Sequence, residues 1–187
     1  NKSLTIQGAN AGTPGNGTRS LESRIVPASD GQDALVNVQA SNVTLDGLAF
    51  DSNNPGLTGS RNGSGGVIIP SNLTGADNVT VVNSLFENFP NESNNPAIPF
   101  GGGIAGVASG GSASTGNEIS RNLFRNFEGY EFPSGGNSEK ASVGISLADN
   151  FYADVSDNVI DNVAFGVLMF GIAPSSPNQS VTGSSIS

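Results

Sequence analysis

The chain has no cysteine and no histidine among its 187 residues. Those absences exclude thiolate chemistry, imidazole general-base catalysis and zinc held by His or Cys. Missing cysteine does not choose a redox compartment, since cytosolic and bacterial surface proteins alike do without it. Positive charge is scarce: seven Lys plus Arg against 16 Asp plus Glu leave a net charge of -9. Nucleic acid and anionic membranes are poor partners for such a chain, because phosphate binding relies on clustered cations. No apolar run approaches the roughly 20 residues of a membrane-spanning helix, so membrane insertion is not expected. The first residues, NKSLTIQGAN, lack the charged-then-apolar profile of a secretory signal.

What is abundant points to β structure. The chain carries 26 Gly, many Asn and Ser, and only 12% charged residues. That composition favours frequent tight turns over long solvated helices. The length suits one domain with a sizeable core. Glycosylation sequons such as NGT at 16–18 and NES at 91–93 are expected by chance in so Asn-rich a chain.

A short phrase recurs: NVTLDGLAFDSN at 42–53, NVTVVNSLFENF at 78–89 and NEISRNLFRNF at 117–127. Aligning it places Ile6, Leu45, Val81, Ile119, Val155 and Val181 in one apolar column, with successive members roughly forty residues apart for most of its length. Five residues further on lies a second column of Ala11, Phe50, Phe86, Phe124, Ile160 and Ile186. Constant phrases separated by variable text are the mark of a solenoid whose insertions sit in loops. Within NVTVV, the buried candidates Val79 and Val81 alternate with Thr80 and Val82, a period of two that fits a strand and not a helix. A second strand family runs through 33–40, 65–70, 101–108, 141–148 and 165–172, giving at least two strands per coil. Stacked coils pair equivalent strands about 4.8 Å apart, so equivalent residues form ladders.

With KSLTIQGAN, NVTLDGLAF and NVTVVNSLF as its carriers, the chain resembles the right-handed parallel β-helix, or pectin-lyase-like, repeat proteins of the secreted and cell-surface type. The resemblance covers essentially the whole chain and implies an all-β solenoid of about six rungs with long loops from one corner. It does not name a reaction, since the architecture hosts lyases, hydrolases, tailspikes and adhesins.

The ladders sort core from candidate site. Phe50, Phe86 and Phe124 read as a stacked aromatic core, and Asn88, Asn126 and Asn162 as an inward asparagine ladder serving turn backbone groups. Glu87, Arg125 and Asp161 share one column, and Asn83, Arg121 and Asp157 another. The resemblance offers such an Arg as a lyase base; the residues themselves read as surface salt bridges worth under about 1 kcal/mol. Glu118 falls one rung from Asp154, an arrangement that leaves a Ca²⁺ site or an acid pair open. No cofactor is otherwise called for. Calcium wants more oxygens than these two carboxylates offer.

Ligands are expected at the insertions that follow the repeated phrase, 53–64, 89–101 and 127–140, which emerge from one corner. They hold Phe89, Phe100, Phe127, Tyr130 and Phe132. Aromatic faces that stack on pyranose rings, flanked by polar groups that bond hydroxyls, are what sugar recognition needs. The expected ligand-binding residues are Arg61, Phe100, Tyr130, Glu131 and Phe132. Glu92, Glu128, Glu131 and Glu139 would serve a glycosidase, and Tyr130 or Arg61 a lyase, yet no motif of defined spacing joins them.

A β-helix needs its ends covered, and no amphipathic capping helix is written at either end. The expectation is therefore one parallel β-helix domain over 1–187, either a fragment of a longer protein whose flanking rungs cover it or a unit that stacks end to end. The expected function is a non-catalytic, adhesin-like β-helix, extracellular or at the cell surface, with glycan as its partner. The alternative is a polysaccharide lyase or glycoside hydrolase of the pectin-lyase-like class.

Overall fold

The structure, a computed structural model, describes residues 2–57, 64–70, 76–91, 101–108, 113–131, 140–170, 180–182 and 185–186. Among them every regular element is a strand, and every sheet is parallel. Numbered in chain order, the strands stack into three sheets. The first holds β1 (Leu4–Gln7), β4 (Val43–Asp46), β7 (Thr80–Val82), β10 (Ser114–Ser120), β13 (Phe151–Ser156) and β16 (Ser180–Thr182). The second holds β2 (Arg24–Ile25), β5 (Ala49–Asp51), β8 (Leu85–Glu87), β11 (Leu123–Arg125), β14 (Val159–Asp161) and β17 (Ser185–Ile186). The third holds β3 (Val36–Asn37), β6 (Gly65–Pro70), β9 (Gly101–Ala108), β12 (Ser142–Asp149) and β15 (Phe165–Phe170). The chain visits first, second and third sheet in turn and then repeats, which makes the fold a parallel β-solenoid with three strands per coil.

Register follows the apolar columns. Ile6, Leu45, Val81, Ile119, Val155 and Val181 are successive partners along the first sheet. Along the second, Phe50, Phe86, Phe124, Ile160 and Ile186 are successive partners, but Ile25 and not Ala11 precedes Phe50. The reason is an excursion: residues 8–23 leave the coil after β1 and return only at β2, so the five-residue offset fails there. The phenyl rings stack nearly parallel, with centroids 4.6 Å apart for Phe50 and Phe86 and 4.8 Å for Phe86 and Phe124. Offset stacking adds roughly 0.5–1.5 kcal/mol per pair beyond area burial.

From β4 to β5, β7 to β8, β10 to β11 and β13 to β14, two residues link the first sheet to the second: Gly47 and Leu48, Asn83 and Ser84, Arg121 and Asn122, Asp157 and Asn158. The first of each pair takes a left-handed backbone, with φ of 71° at Gly47, 54° at Asn83, 55° at Arg121 and 54° at Asp157. Gly, Asn and Asp tolerate that conformation; Arg does so at a cost of order 1–3 kcal/mol. The second of each pair points inward and is buried. Asn158 Oδ1 accepts from the Asn122 backbone N–H at 3.0 Å, Asn122 Oδ1 from the Ser84 N–H at 2.9 Å, and Ser84 Oγ from the Leu48 N–H at 3.3 Å. Asn122 and Asn158 also donate Nδ2 to the Val81 and Ile119 carbonyls at 2.9 and 2.8 Å. This is the internal polar ladder, and it lies here and not at Asn88, Asn126 and Asn162. Those three are exposed and left-handed, with φ of 64°, 57° and 54°. They are Asn because the turn demands a left-handed residue.

Candidate functional site

The corner after the second sheet carries the insertions. Phe89 and Phe127, expected among the loop aromatics, belong instead to the core: they are 0% and 3% exposed and their rings meet at 5.1 Å. Phe127 also stands edge-on to Phe124 at 6.4 Å. These residues sit just past the ends of β8 and β11, where the ladder of phenyl rings gives them a surface to bury against. The chain beyond them is tied from one coil to the next. The Glu128 N–H donates to the Phe89 carbonyl at 2.8 Å, the Asn91 N–H to Glu128 Oε2 at 3.0 Å, and Asn91 Nδ2 to the Gly129 carbonyl at 3.1 Å. Glu128 is thus a structural tie between two insertions.

Of the five expected ligand-binding residues, Tyr130 and Glu131 are described. Tyr130 is half-buried, with its ring edge-on to Phe165 at 6.1 Å. Glu131 is exposed; its N–H donates to the Lys140 carbonyl at 2.9 Å, and its carboxylate lies 3.9 Å from Lys140 Nζ. The 131–140 excursion is therefore closed at its base by an antiparallel bridge. Arg61, Phe100 and Phe132 lie outside the described residues, as do Glu92 and Glu139.

Glu118 and Asp154 are register neighbours on β10 and β13. Glu118 Oε1 accepts a hydrogen bond from Ser120 Oγ at 2.6 Å. Among the described residues no group of three or more potential metal ligands assembles.

Among the described residues the densest charge lies elsewhere, on the outer face of the second sheet. Arg24 Nη1 donates to Asp51 Oδ2 and Glu87 Oε1, each at 2.5 Å. Arg125 donates Nε and Nη2 to Glu87 Oε2 at 3.1 and 2.9 Å. The pairing of Glu87 with Arg125 follows the expected column, but the carboxylate is buried at 5% exposure and ties β8 to β2 and β11, while Arg24 reaches β5 through Asp51. Burial opposes the charge on Arg24, yet the Glu87 hydrogen bond and the Glu87 and Asp51 charges outweigh it and hold its pKa above the usual arginine value. In the other column, Arg121 donates Nε to Asn83 Oδ1 at 3.0 Å.

The excursion 8–23 lies over this face as a strap. Arg19 donates Nε to Glu22 Oε1 at 2.6 Å and Nη1 to the Asn83 carbonyl at 2.7 Å. Burial pushes the Glu22 carboxyl up, but hydrogen bonds from Arg19 and Asn10 and the charges of Arg19 and Arg24 leave it below its ordinary range. Between strap and sheet runs a groove of about 310 Å³, bounded by Asn16, Arg19, Glu22, Leu85, Leu123 and Arg125. A hollow on the third sheet beside Ile68, Ala105 and Ser146 measures only about 10 Å³, room for a single water. Sequence reasoning missed Arg19, Glu22 and Arg24. The signal was RSLESR at 19–24, a knot of charge in a chain otherwise poor in it.

A scan against protein-family models and searches of curated proteins and of solved structures found no match to this chain.

Proposed function

We propose that the chain is a non-catalytic, adhesin-like β-solenoid of the right-handed, pectin-lyase-like type, extracellular or at the cell surface. In this reading it binds glycan at the corner where residues 53–64, 89–101 and 127–140 leave the second sheet, with Tyr130, Glu131, Arg61, Phe100 and Phe132 as the binding residues. The observation that carries the reading is the rung-to-rung stitching of the insertion roots through Phe89, Asn91, Phe127 and Glu128. Roots fixed in this way give residues 89–91 and 127–131 a rigid base, as a binding surface requires. The non-catalytic part of the reading draws on the carboxylates. Among the described residues, Glu22 and Glu87 are held by Arg partners, Glu128 accepts from the Asn91 N–H and Glu131 lies 3.9 Å from Lys140 Nζ, whereas a glycosidase needs a carboxyl free to deliver a proton.

The test is a glycan array probed with the purified chain and with Tyr130→Ala and Phe132→Ala. The proposal expects selective binding that falls about tenfold or more in each variant, with unchanged thermal unfolding. Binding that is absent, or indifferent to both substitutions, removes the site.

A further inference from the structure

The strap over the second sheet is a built element. At its base the Ser20 N–H donates to Asn10 Oδ1 at 2.8 Å, Asn10 Nδ2 to Glu22 Oε2 at 2.9 Å, and the Ala9 N–H to Ser23 Oγ at 3.0 Å. At its tip the Gly15 N–H donates to the Arg121 carbonyl at 2.7 Å. The tip lies so close that a β-carbon at Gly15 would fall 2.4 Å from the Leu123 nitrogen and 2.6 Å from the Ser84 oxygen. Strap and sheet therefore hold the groove between them at a fixed width.

Its lining has a definite chemistry. Leu85 and Leu123 are register partners that form an apolar floor, Leu85 buried and Leu123 half-buried, and the half-buried Val159 continues that strip on β14. Of the charged groups in the walls, Arg19 is paired with Glu22 at 2.6 Å, and Arg125 is paired at 2.9 Å with the buried Glu87, which lies outside the lining. An approaching anion meets Glu22 and a chain of net charge -9. A cation meets Arg19 and Arg125. Neither gains a net attraction, because each guanidinium already has its carboxylate. A neutral ligand rich in hydroxyls suits the site better: its apolar face lies on Leu123 and its hydroxyls find amide, guanidinium and carboxylate partners. The volume, near the lower end of the roughly 300–1,000 Å³ of ligand pockets, admits a molecule of one or two small rings.

We propose that this groove is a second ligand site, separate from the insertion corner, that takes one or two units of a neutral pyranose sugar. It does not rest on the corner reading, since no residue is shared between the two.

The test follows the backbone amides of the full chain by NMR during titration with cellobiose and with maltose, with digalacturonate as the charged comparator. Saturable shifts at Gly15, Gly17 and Leu123 on adding a neutral disaccharide are expected, indifferent to added salt. Leu123→Ala, which trims the apolar surface beneath the sugar, weakens that binding about tenfold or more. Tyr130→Ala leaves it unchanged. Intermolecular NOEs from sugar ring protons to the Leu123 methyl groups are read on the unsubstituted chain, so the outcome does not depend on the variant folding. Failure of both neutral sugars to shift these amides overturns the proposal, as does absence of the NOEs. So does a response confined to digalacturonate and abolished by salt.

Discussion

Gly103 lies against the ring of Phe124: a β-carbon on Gly103 would fall 2.7 Å from two of the ring carbons and 2.8 Å from the Gly144 carbonyl oxygen. Gly66 stands in the same relation to Phe86, at 2.8 Å. The bulk that the second sheet sends inward is thus matched by missing side chains on the third. Gly103→Ala is expected to cost about 1–3 kcal/mol by overpacking. Phe124→Leu frees room, so the double variant should lose less than the sum of the two single losses. Urea unfolding of the four proteins measures this; strict additivity would show that the two residues do not compete for space.

The two asparagine columns should respond in opposite ways. Asn122→Ala leaves the Ser84 N–H and the Val81 carbonyl without their partner in a buried site, at about 1–3 kcal/mol for each unsatisfied group. Asn162→Gly, at an exposed left-handed residue, should be neutral within about 0.5 kcal/mol, because glycine meets that backbone demand without strain. Equal losses at the two sites would contradict the assignment of the inner ladder to Asn122 and Asn158.

Glu87→Ala removes one buried carboxylate that serves two arginines. Arg24 and Arg125 have side chains 44% and 41% exposed, so water recovers part of what they lose. A loss of about 1–2 kcal/mol is expected, below that of a fully buried pair. Glu87→Gln should recover part of it through hydrogen bonds alone. If both variants unfold like the parent, the ion ladder contributes nothing to holding the coils together.

Glu22 sets a pH dependence for the strap. Its folded pKa lies below the ordinary carboxylate value, so its contribution is present above the unfolded pKa of about 4.3 and is lost as pH falls through the folded value. Acidification below that range should loosen residues 8–23 before the solenoid unfolds. Falling heteronuclear NOEs at Gly15 and Gly17 would report it. Glu22→Gln should remove this pH dependence; if the variant keeps the same acid transition, another group drives it.

The solenoid was legible because each coil must offer an apolar residue at the same inward position. Leu45, Val81, Ile119 and Val155 obey that demand through every change of the text between them. What escaped has specific causes. The strap has no period, so Ala11 took the place that belongs to Ile25. Asparagine answers two different demands in neighbouring columns, a left-handed backbone at Asn126 and an inward hydrogen-bonding amide at Asn122, and spacing cannot separate them. Phe89 and Phe127 lie past their strands, where alternation stops, so their burial depends on rings in the neighbouring coils. Of the corner site, the sequence named Tyr130 and Glu131 side by side but gave no sign of Lys140 closing the base beneath them.

The most direct measurement takes a polysaccharide bound at the insertion corner, incubates it with the chain, and follows its length distribution, new reducing ends and unsaturated products. Binding with the polymer recovered intact, and weakened in Tyr130→Ala, is the predicted result. Shortened polymer with new reducing ends or unsaturated ends, formed equally by Tyr130→Ala, would contradict it and make the chain a hydrolase or lyase acting from another face.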